Sequence, residues 1–293
     1  MFILDRRHLL SLAGAAVGAS LLHKPARAAI GEAQVHTASD AGALVDSVVI
    51  LGDESAVLVD AQFIAPEASA LADLIAASGR RLDTVIISHY HPDHILGLDV
   101  ILQRFPEARA VTHPKIRPLI EQSVAGMLAQ FSAGAPEGVF AARAHIPDAL
   151  EADHVLLEGE RIEVLEPIHG DTDLISPVLI PSLDTLIASD LLYQNVHVWV
   201  ADNTTPDRVQ AWRDSLDQLE GMGAGTVIPG HRTADSPDGS AAFAWTRDYL
   251  DQWDAALAEA GNADELRAAM IRGREDVGFA LAVDRAVAAV YPE

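Results

Sequence analysis

The stretch IISHYHPDHILGL, residues 86–98, places four potential metal ligands directly after an apolar run: His89, His91, Asp93 and His94. The segment DTVIIS (83–88) has the apolar character of a strand buried on both faces, and the following residues predict a helix from about Ile95 to Arg104. A rigid strand end fixes the backbone, while the loop after it can aim several side chains at one point. The pattern H-x-H-x-D-H at a strand end therefore predicts a metal site.

The composition is that of an acidic globular protein. The chain has 293 residues, of which 49% are hydrophobic, so it can bury the core of one large domain or two small ones. Its 43 acidic and 20 basic residues give a formal net charge of -23, which repels phosphate backbones and argues against a nucleic-acid partner. Because the chain has no Cys, disulfides are excluded and every metal ligand must be His or a carboxylate.

The N-terminal segment has the features of an export signal. It contains the twin arginine Arg6-Arg7, a moderately apolar run rich in Ala and Gly, and the A-x-A cleavage site Ala26-Arg27-Ala28. We expect residues 1–28 to be a twin-arginine-type signal peptide, residues 29–293 to form a single domain, and the protein to be periplasmic or secreted. No later segment has the length and apolarity of a membrane span, so we expect no integral membrane association. An amphipathic first helix or a membrane anchor is the alternative.

The rest of the chain predicts a layered α/β fold. Two segments have hairpin patterns: residues 47–60, which turn at Asp53-Glu54, and residues 176–190, which turn at 182–184. Strands and helices alternate between and after them, and in each half the ionisable residues follow strands. Two stacked sheets with helices outside would bring these strand ends together at one edge.

Three further candidate ligands follow later strands. They are His169 in IHGDTD, Asp190 at the end of LIASD, and His231 at the end of TVIPGH. With the first four residues they make five His and two Asp, which is enough for two divalent ions with an open position for solvent.

With these motifs in this order, the sequence resembles the metallo-β-lactamase superfamily over about residues 33–293, and Asp60 in VLVD matches an early structural Asp of that family. The resemblance implies an αββα four-layer sandwich and a dinuclear zinc site, with iron and manganese as alternatives. It implies a first zinc on His89, His91 and His169, a second on Asp93, His94 and His231, and Asp190 as the bridge between them. In such a site a hydroxide shared by the two ions attacks a substrate carbonyl, and Asp93 orients it or accepts a proton.

Two residues indicate a branch of this family. Asp190 stands where zinc β-lactamases usually have Cys or Ser, and it resembles the Asp of lactonases, thioesterases and phosphodiesterases. Tyr193, three residues later, is similar to the Tyr of N-acyl homoserine lactone lactonases, whose hydroxyl helps to polarise the substrate carbonyl. Tyr193 is therefore a candidate substrate-binding residue. His197 and Trp199, in the loop that follows, are further candidates to line the pocket, and packing in the loop is the alternative role of all three.

The expected function is an exported dinuclear zinc hydrolase that acts on a neutral or cationic small-molecule carbonyl compound, most favourably a lactone or another ester. A cyclic amide of the β-lactam kind, a thioester, and a non-catalytic metal-binding role remain open. A homodimer through apolar surface near Trp199, Trp245 and Trp253 is an alternative to core packing of these residues.

Overall fold

The computed structural model describes residues 30–236 and 239–292, and two β-sheets packed face to face form its centre. The predicted signal peptide, residues 1–28, lies outside the described residues. The strands of the first sheet lie in chain order: β1 (Glu32–Thr37), β2 (Asp46–Leu51), β3 (Ser55–Val59), β4 (Arg81–Ile87), β5 (Arg109–Thr112) and β6 (Asp148–Ala149). The pairs β1–β2 and β2–β3 are antiparallel, and the pairs from β3 to β6 are parallel.

The second sheet has the order β11-β10-β9-β8-β7. Its strands are β7 (His154–Leu157), β8 (Glu160–Val164), β9 (Val178–Ile180), β10 (Thr185–Gln194) and β11 (Thr226–Arg232). All its pairs are antiparallel except β10–β11, which is parallel. The predicted second hairpin is β9–β10, and a short 3₁₀ turn, Pro181–Leu183, connects the two strands.

Helices cover the outer faces of both sheets. On the first sheet lie α1 (Ala65–Ala77), α2 (Pro92–Ile95), α3 (Leu98–Arg104) and α4 (Arg117–Ser132). On the second lie α5 (Pro206–Glu220), α6 (Ala241–Glu259), α7 (Ala263–Ile271) and α8 (Ala280–Val290). Among the described residues, none of the helices combines the length and apolarity that crossing a bilayer requires.

Successive side chains of a strand face different layers of the structure. In β3, Ala56 and Leu58 pack under the helices of the first sheet, while Val57 and Val59 pack against the second sheet. Side chains of a strand alternate between its two faces, so a strand covered on both faces is apolar throughout. This is why the inner strands β2, β3 and β4 contain continuous apolar runs. The predicted αββα sandwich is confirmed.

The predicted helix from about Ile95 to Arg104 corresponds to α3, which begins at Leu98, and a break separates it from the short helix α2, which ends at Ile95. Gly97 lies at the break, where its N–H donates to the Gln62 carbonyl at 2.8 Å. A Cβ at this position would come within 2.1 Å of the Ala61 carbonyl oxygen. The chain therefore passes directly over the segment after β3, which a continuous helix with side chains at every position could not do.

Candidate metal centre

Six of the seven predicted ligands, all except His169, meet where the end of β4 faces β10 and β11. His89, His91, Asp93 and His94 lie on the loop and short helix after β4, while Asp190 and His231 lie within β10 and β11. The β10–β11 register shifts on both sides of Ser189, whose φ is +50°. Such bulges redirect side chains and are common beside active sites. Here the irregularity lies next to Asp190.

Four buried side chains form a first group: His89, His91, Asp171 and Asp190. Each offers a ligand atom, and these atoms all lie within 4.8 Å of one another. His91 Nδ1 is 3.1 Å from Asp171 Oδ2, and His89 Nε2 is 3.5 Å from Asp190 Oδ2. This spacing is compatible with one ion held by two imidazoles and two carboxylates.

Asp93, His94 and His231 form a second group with ligand atoms within the same 4.8 Å limit. His231 Nε2 lies 3.3 Å from both Asp93 Oδ2 and Asp190 Oδ2, and His94 Nε2 lies 3.1 Å from Asp190 Oδ1. The carboxylate of Asp190 is thus within reach of imidazoles from both groups. Its position between them is the one that a bridging ligand requires.

Hydrogen bonds outside the two groups orient three of the imidazoles. The Ser88 hydroxyl donates to Asp60 Oδ2 at 2.7 Å and lies 2.9 Å from His89 Nδ1, while His94 Nδ1 lies 2.8 Å from Asp60 Oδ2. His231 Nδ1 lies 2.8 Å from the Ala43 carbonyl oxygen. Each Nδ1–H therefore has an acceptor, which leaves Nε2 to face the centre. Such partners orient metal-binding imidazoles and set their tautomer.

Several buried candidate ligand atoms lie near one another, but among the described residues they make no hydrogen bond of favourable geometry. They are Nε2 of His89, Nε2 of His94, Oδ1 of Asp171 and Oδ1 of Asp190. Buried polar atoms are rarely left in this condition, because the loss of hydration is then uncompensated. Their convergence, together with a donor set of His and carboxylates, fits divalent metal ions.

Burial and neighbouring charge move the pKa values of these groups in opposite directions. Burial and the nearby His94 lower the pKa of His89 to about 4. Burial also disfavours the charged form of His91, but the carboxylates of Asp171, Asp93 and Asp190 outweigh it and raise the pKa of His91 to about 9. Burial raises the pKa of Asp171 to about 7. In the protein without metal, protons therefore occupy part of the ligand set near neutral pH.

His169 lies outside both groups in this structure. Its Nε2 is 2.8 Å from Asn203 Oδ1, and its Nδ1 is 3.6 Å from Asp173 Oδ1. Asp171 lies beside His91 instead, because a tight turn at Gly170 reverses the chain and the Asp171 N–H points to the Asp190 carbonyl. The role of His169 as a ligand of the first metal stays a prediction. Asp171 was missed, although it stands two residues after His169 as His91 does after His89.

The three predicted substrate-binding residues occupy different surroundings. Tyr193 is fully buried, and its hydroxyl lies 2.9 Å from Asp171 Oδ2 and 3.1 Å from Asp190 Oδ2, so its single proton can be donated to either carboxylate. Trp199 is half-buried and lines the cavity above the centre. His197 is buried with its Nδ1 3.1 Å from the Tyr249 hydroxyl, and it is not among the residues that line this cavity. Its surroundings indicate that it packs within the protein and holds its loop in place.

The cavity above the metal centre has a largely aromatic wall. Together with the open region at its mouth it comprises about 460 Å³ of space. The ring of His231 is stacked between the rings of Tyr193 and Phe279, with centroid distances of 4.9 Å on both sides. Phe63 and Phe131 line the cavity as well, with their ring centroids 5.1 Å apart.

Comparison with known proteins agrees with this geometry. The family model for the metallo-beta-lactamase superfamily matches residues 42–231, which include every candidate ligand. The chain therefore belongs to the metallo-β-lactamase superfamily, most of whose members are metal-dependent hydrolases. The His/Asp cluster is consistent with divalent metals in a site of this class.

Solved structures of the same fold resemble this chain at low sequence identity. A metallo-beta-lactamase family protein from Thermus thermophilus is 21% identical over 84% of this chain and 87% of its own, with a TM-score of 0.57. A metallo-beta-lactamase from Pontibacter korlensis is 20% identical over 71% of this chain and 87% of its own, with a TM-score of 0.52. FIM-1 from Pseudomonas aeruginosa, in a mono-zinc form, is 13% identical over 75% of this chain and 89% of its own, with a TM-score of 0.50. At these identities the likeness shows the fold alone. The comparison with curated proteins found no match.

Proposed function

We propose that the protein is a dinuclear zinc hydrolase that opens a lactone or cleaves another small ester. The observation that carries this proposal is the arrangement of Asp190. Its carboxylate lies within 3.5 Å of His89, His94 and His231, so two groups of ligands share one residue at the floor of an aromatic cavity.

Each of the two groups of candidate ligands would hold one ion. His89, His91 and Asp171 would hold one ion, Asp93, His94 and His231 the other, and Asp190 both; His169 is a further candidate for the first. Zinc suits a set made only of imidazoles and carboxylates. When bound, the ions supply Lewis acidity toward a carbonyl oxygen and lower the pKa of coordinated water.

The chain's own residues supply positioning and proton handling. Asp93 lines the cavity, and its Oδ2 is 3.3 Å from His231, so a proton released near the reacting carbonyl has a carboxylate acceptor at the cavity wall. Tyr193 holds the carboxylates of Asp171 and Asp190 through its hydroxyl. Trp199 offers an apolar ring to the part of the substrate that does not react.

A cyclic amide is the second candidate substrate class. Solved structures with this fold, FIM-1 among them, are named metallo-β-lactamases. Asp190 in place of the Cys or Ser usual in zinc β-lactamases favours the ester over the amide. Thioesters remain a third candidate. A non-catalytic metal-binding role is disfavoured, because the ligand set around Asp190 is complete enough for two ions.

Location and partners follow the sequence features. We propose export through a twin-arginine-type signal at residues 1–28 and action in the periplasm or outside the cell. The formal charge of -23 supports a small-molecule partner over nucleic acid. A homodimer stays open.

A substrate panel tests the proposal. Zinc-loaded protein would be given acyl homoserine lactones, aliphatic lactones, simple esters, a thioester and a β-lactam, with acid release followed by pH-stat. We expect lactones to exceed the other classes in kcat/KM by at least tenfold. His91→Ala and Asp93→Ala should abolish turnover, while His154→Ala, at the far edge of the second sheet, should not. Full turnover in either of the first two variants would refute the proposal.

A further inference from the structure

The cavity above the metal centre has a cationic side chain at its mouth. Arg285, on α8, is the single Lys or Arg among the described residues that line this cavity. It lies on the C-terminal helix, beyond the residues 42–231 that the family model matches. Its position is therefore a feature of this chain and is not carried over from the family motifs.

The orientation of α8 explains why Arg285 reaches the cavity. The helix buries Ala282, Val283, Ala286 and Val287 in the core of the second sheet's helical layer. Leu281 and Arg285 stand one turn apart on a neighbouring stripe, are exposed, and both line the cavity. The packing of the buried face therefore holds the two side chains at the mouth.

The Arg285 guanidinium is free to take a ligand. Within the part of the chain that the structure describes, it makes no ion pair or hydrogen bond. Its acidic neighbour Asp284 is paired with Arg267 on α7. In a protein with 43 acidic and 20 basic residues, most exposed cations can find a carboxylate. At the mouth of the site, a cation without one is available to pair with an anionic group on the ligand.

The charge of the cavity floor supports the same conclusion. Three carboxylates line the cavity, those of Asp93, Asp171 and Asp190, and all three belong to the two ligand groups. Two divalent ions would carry four positive charges against these three negative ones. The floor of the loaded site would therefore not repel an anion, although the whole protein is strongly acidic.

Aromatic side chains line the same cavity as Arg285 and the candidate ligands. Phe63 and Phe131 are one pair, and Trp199 and Phe279, nearly parallel with ring centroids 6.5 Å apart, are another. A ligand that contacts both the centre and Arg285 would therefore place an apolar segment against these rings.

We propose that the site takes an anionic, amphipathic carbonyl substrate, in which an apolar segment separates the reacting carbonyl from a carboxylate that pairs with Arg285. This inference rests on the proposed hydrolytic function and names the substrate class for it. It replaces the expectation of a neutral or cationic substrate, because that expectation came from the net charge, whereas recognition depends on the charges that line the cavity.

The test uses two lactones that differ only at the end of an aliphatic or aryl side chain, one with a carboxylate and the other with a carboxamide. In the zinc-loaded protein we expect the carboxylate lactone to have the higher kcat/KM, chiefly through KM. Arg285→Gln should reduce kcat/KM for this lactone roughly five- to tenfold, as expected for a partly exposed charge-assisted pair. The carboxamide lactone should change less than twofold.

Arg272→Gln is the matched control, because Arg272 is an exposed arginine that precedes α8 and does not line the cavity. It removes the same charge and should leave both lactones unchanged. If both substitutions had the same effect, the preference for the carboxylate lactone would come from the net charge of the protein, and the inference would be overturned. An unchanged preference in Arg285→Gln would overturn it as well.

A binding measurement separates this inference from the reaction. Cyclic ether analogues with the same carboxylate or carboxamide side chain cannot be hydrolysed, and calorimetry gives their affinity for the zinc-loaded protein. If no lactone is turned over, the proposed function fails, while tighter binding of the carboxylate ether that is lost in Arg285→Gln would still support the anion site. Equal affinity for the two ethers would overturn it.

Discussion

Tyr193 illustrates how a residue's role follows from its hydrogen-bond partners. The sequence pattern predicts that its hydroxyl polarises a substrate carbonyl. In the structure Tyr193 lines the cavity, its hydroxyl lies between Asp171 and Asp190, and burial beside these carboxylates raises its pKa well above the usual value. The phenol therefore keeps its proton and can donate it to either candidate ligand carboxylate, and its ring stacks on the candidate ligand His231.

Tyr193→Phe should weaken zinc binding roughly tenfold, because it removes the donor that orients two ligand carboxylates while it keeps the ring. Competition with a chelator of known affinity measures this change. The fold should persist, since only a hydroxyl is lost. If zinc affinity is unchanged while kcat falls at least tenfold, Tyr193 acts on the substrate as the sequence pattern predicts, and the positioning role is wrong.

The candidate site depends on the close approach of the paired strands β10 and β11. Gly230 precedes the ligand His231, and a Cβ there would lie 1.9 Å from Asp190 Oδ1 and 2.7 Å from the Asp190 backbone nitrogen. A backbone atom cannot move aside cheaply, so only glycine allows the carboxylate to stand between the two ligand groups.

Gly230→Ala should therefore destabilise the metal-free protein by about 1–3 kcal/mol and reduce zinc binding, because β11 or Asp190 must shift. Urea unfolding of the metal-free protein measures the first effect. Gly126→Ala is the control: Gly126 lies within α4 with no atom within 4 Å of the added Cβ, so Ala should stabilise that helix by about 0.5–1 kcal/mol. Similar effects of both substitutions would show that the close approach at Gly230 is not needed.

The candidate metal ligands come from both halves of the molecule. His89, His91, Asp93 and His94 follow a strand of the first sheet, whereas Asp190 and His231 belong to the second. Metal bound by these residues would connect the two sheets across their interface. Because the unfolded chain holds no such site, the binding free energy should add to the stability of the fold.

Zinc should therefore raise the melting temperature, by roughly 10 °C when its concentration is about a thousand times Kd. The gain should be larger at pH 8 than at pH 6. The pKa of His91 is about 9 and those of His94 and His231 are also raised, so zinc must displace protons from these imidazoles, and this competition weakens as pH rises.

Differential scanning calorimetry with and without zinc at the two pH values measures this dependence. His91→Ala should lose most of the gain at both. A gain that is independent of pH would contradict the protonated state of the ligand set.

Much of the fold could be predicted because strands buried on both faces appear in the sequence as short, continuous apolar runs. The apolar runs around Val57 and Val85 and the hairpin at 176–190 were predicted from composition and turn residues alone. The edge strand β1 was missed, because its residues EAQVHT are partly exposed and have no clear alternation. The break at Gly97 was missed because the close approach of the segment after β3 is a tertiary contact.

For the candidate ligands, too, some features could be predicted from the sequence and others could not. The amino-acid sequence by itself determined the chemistry of the centre: imidazoles and carboxylates at strand ends, no thiolate, and an Asp at position 190. Only the tertiary structure decided which of these side chains meet. It turned Asp171 toward His91, directed His169 to Asn203, and carried Arg285 to the cavity mouth from a helix nearly two hundred residues away from His89. Residue type and local spacing can be read directly from the sequence, but the direction of a side chain depends on turns and on packing between distant segments.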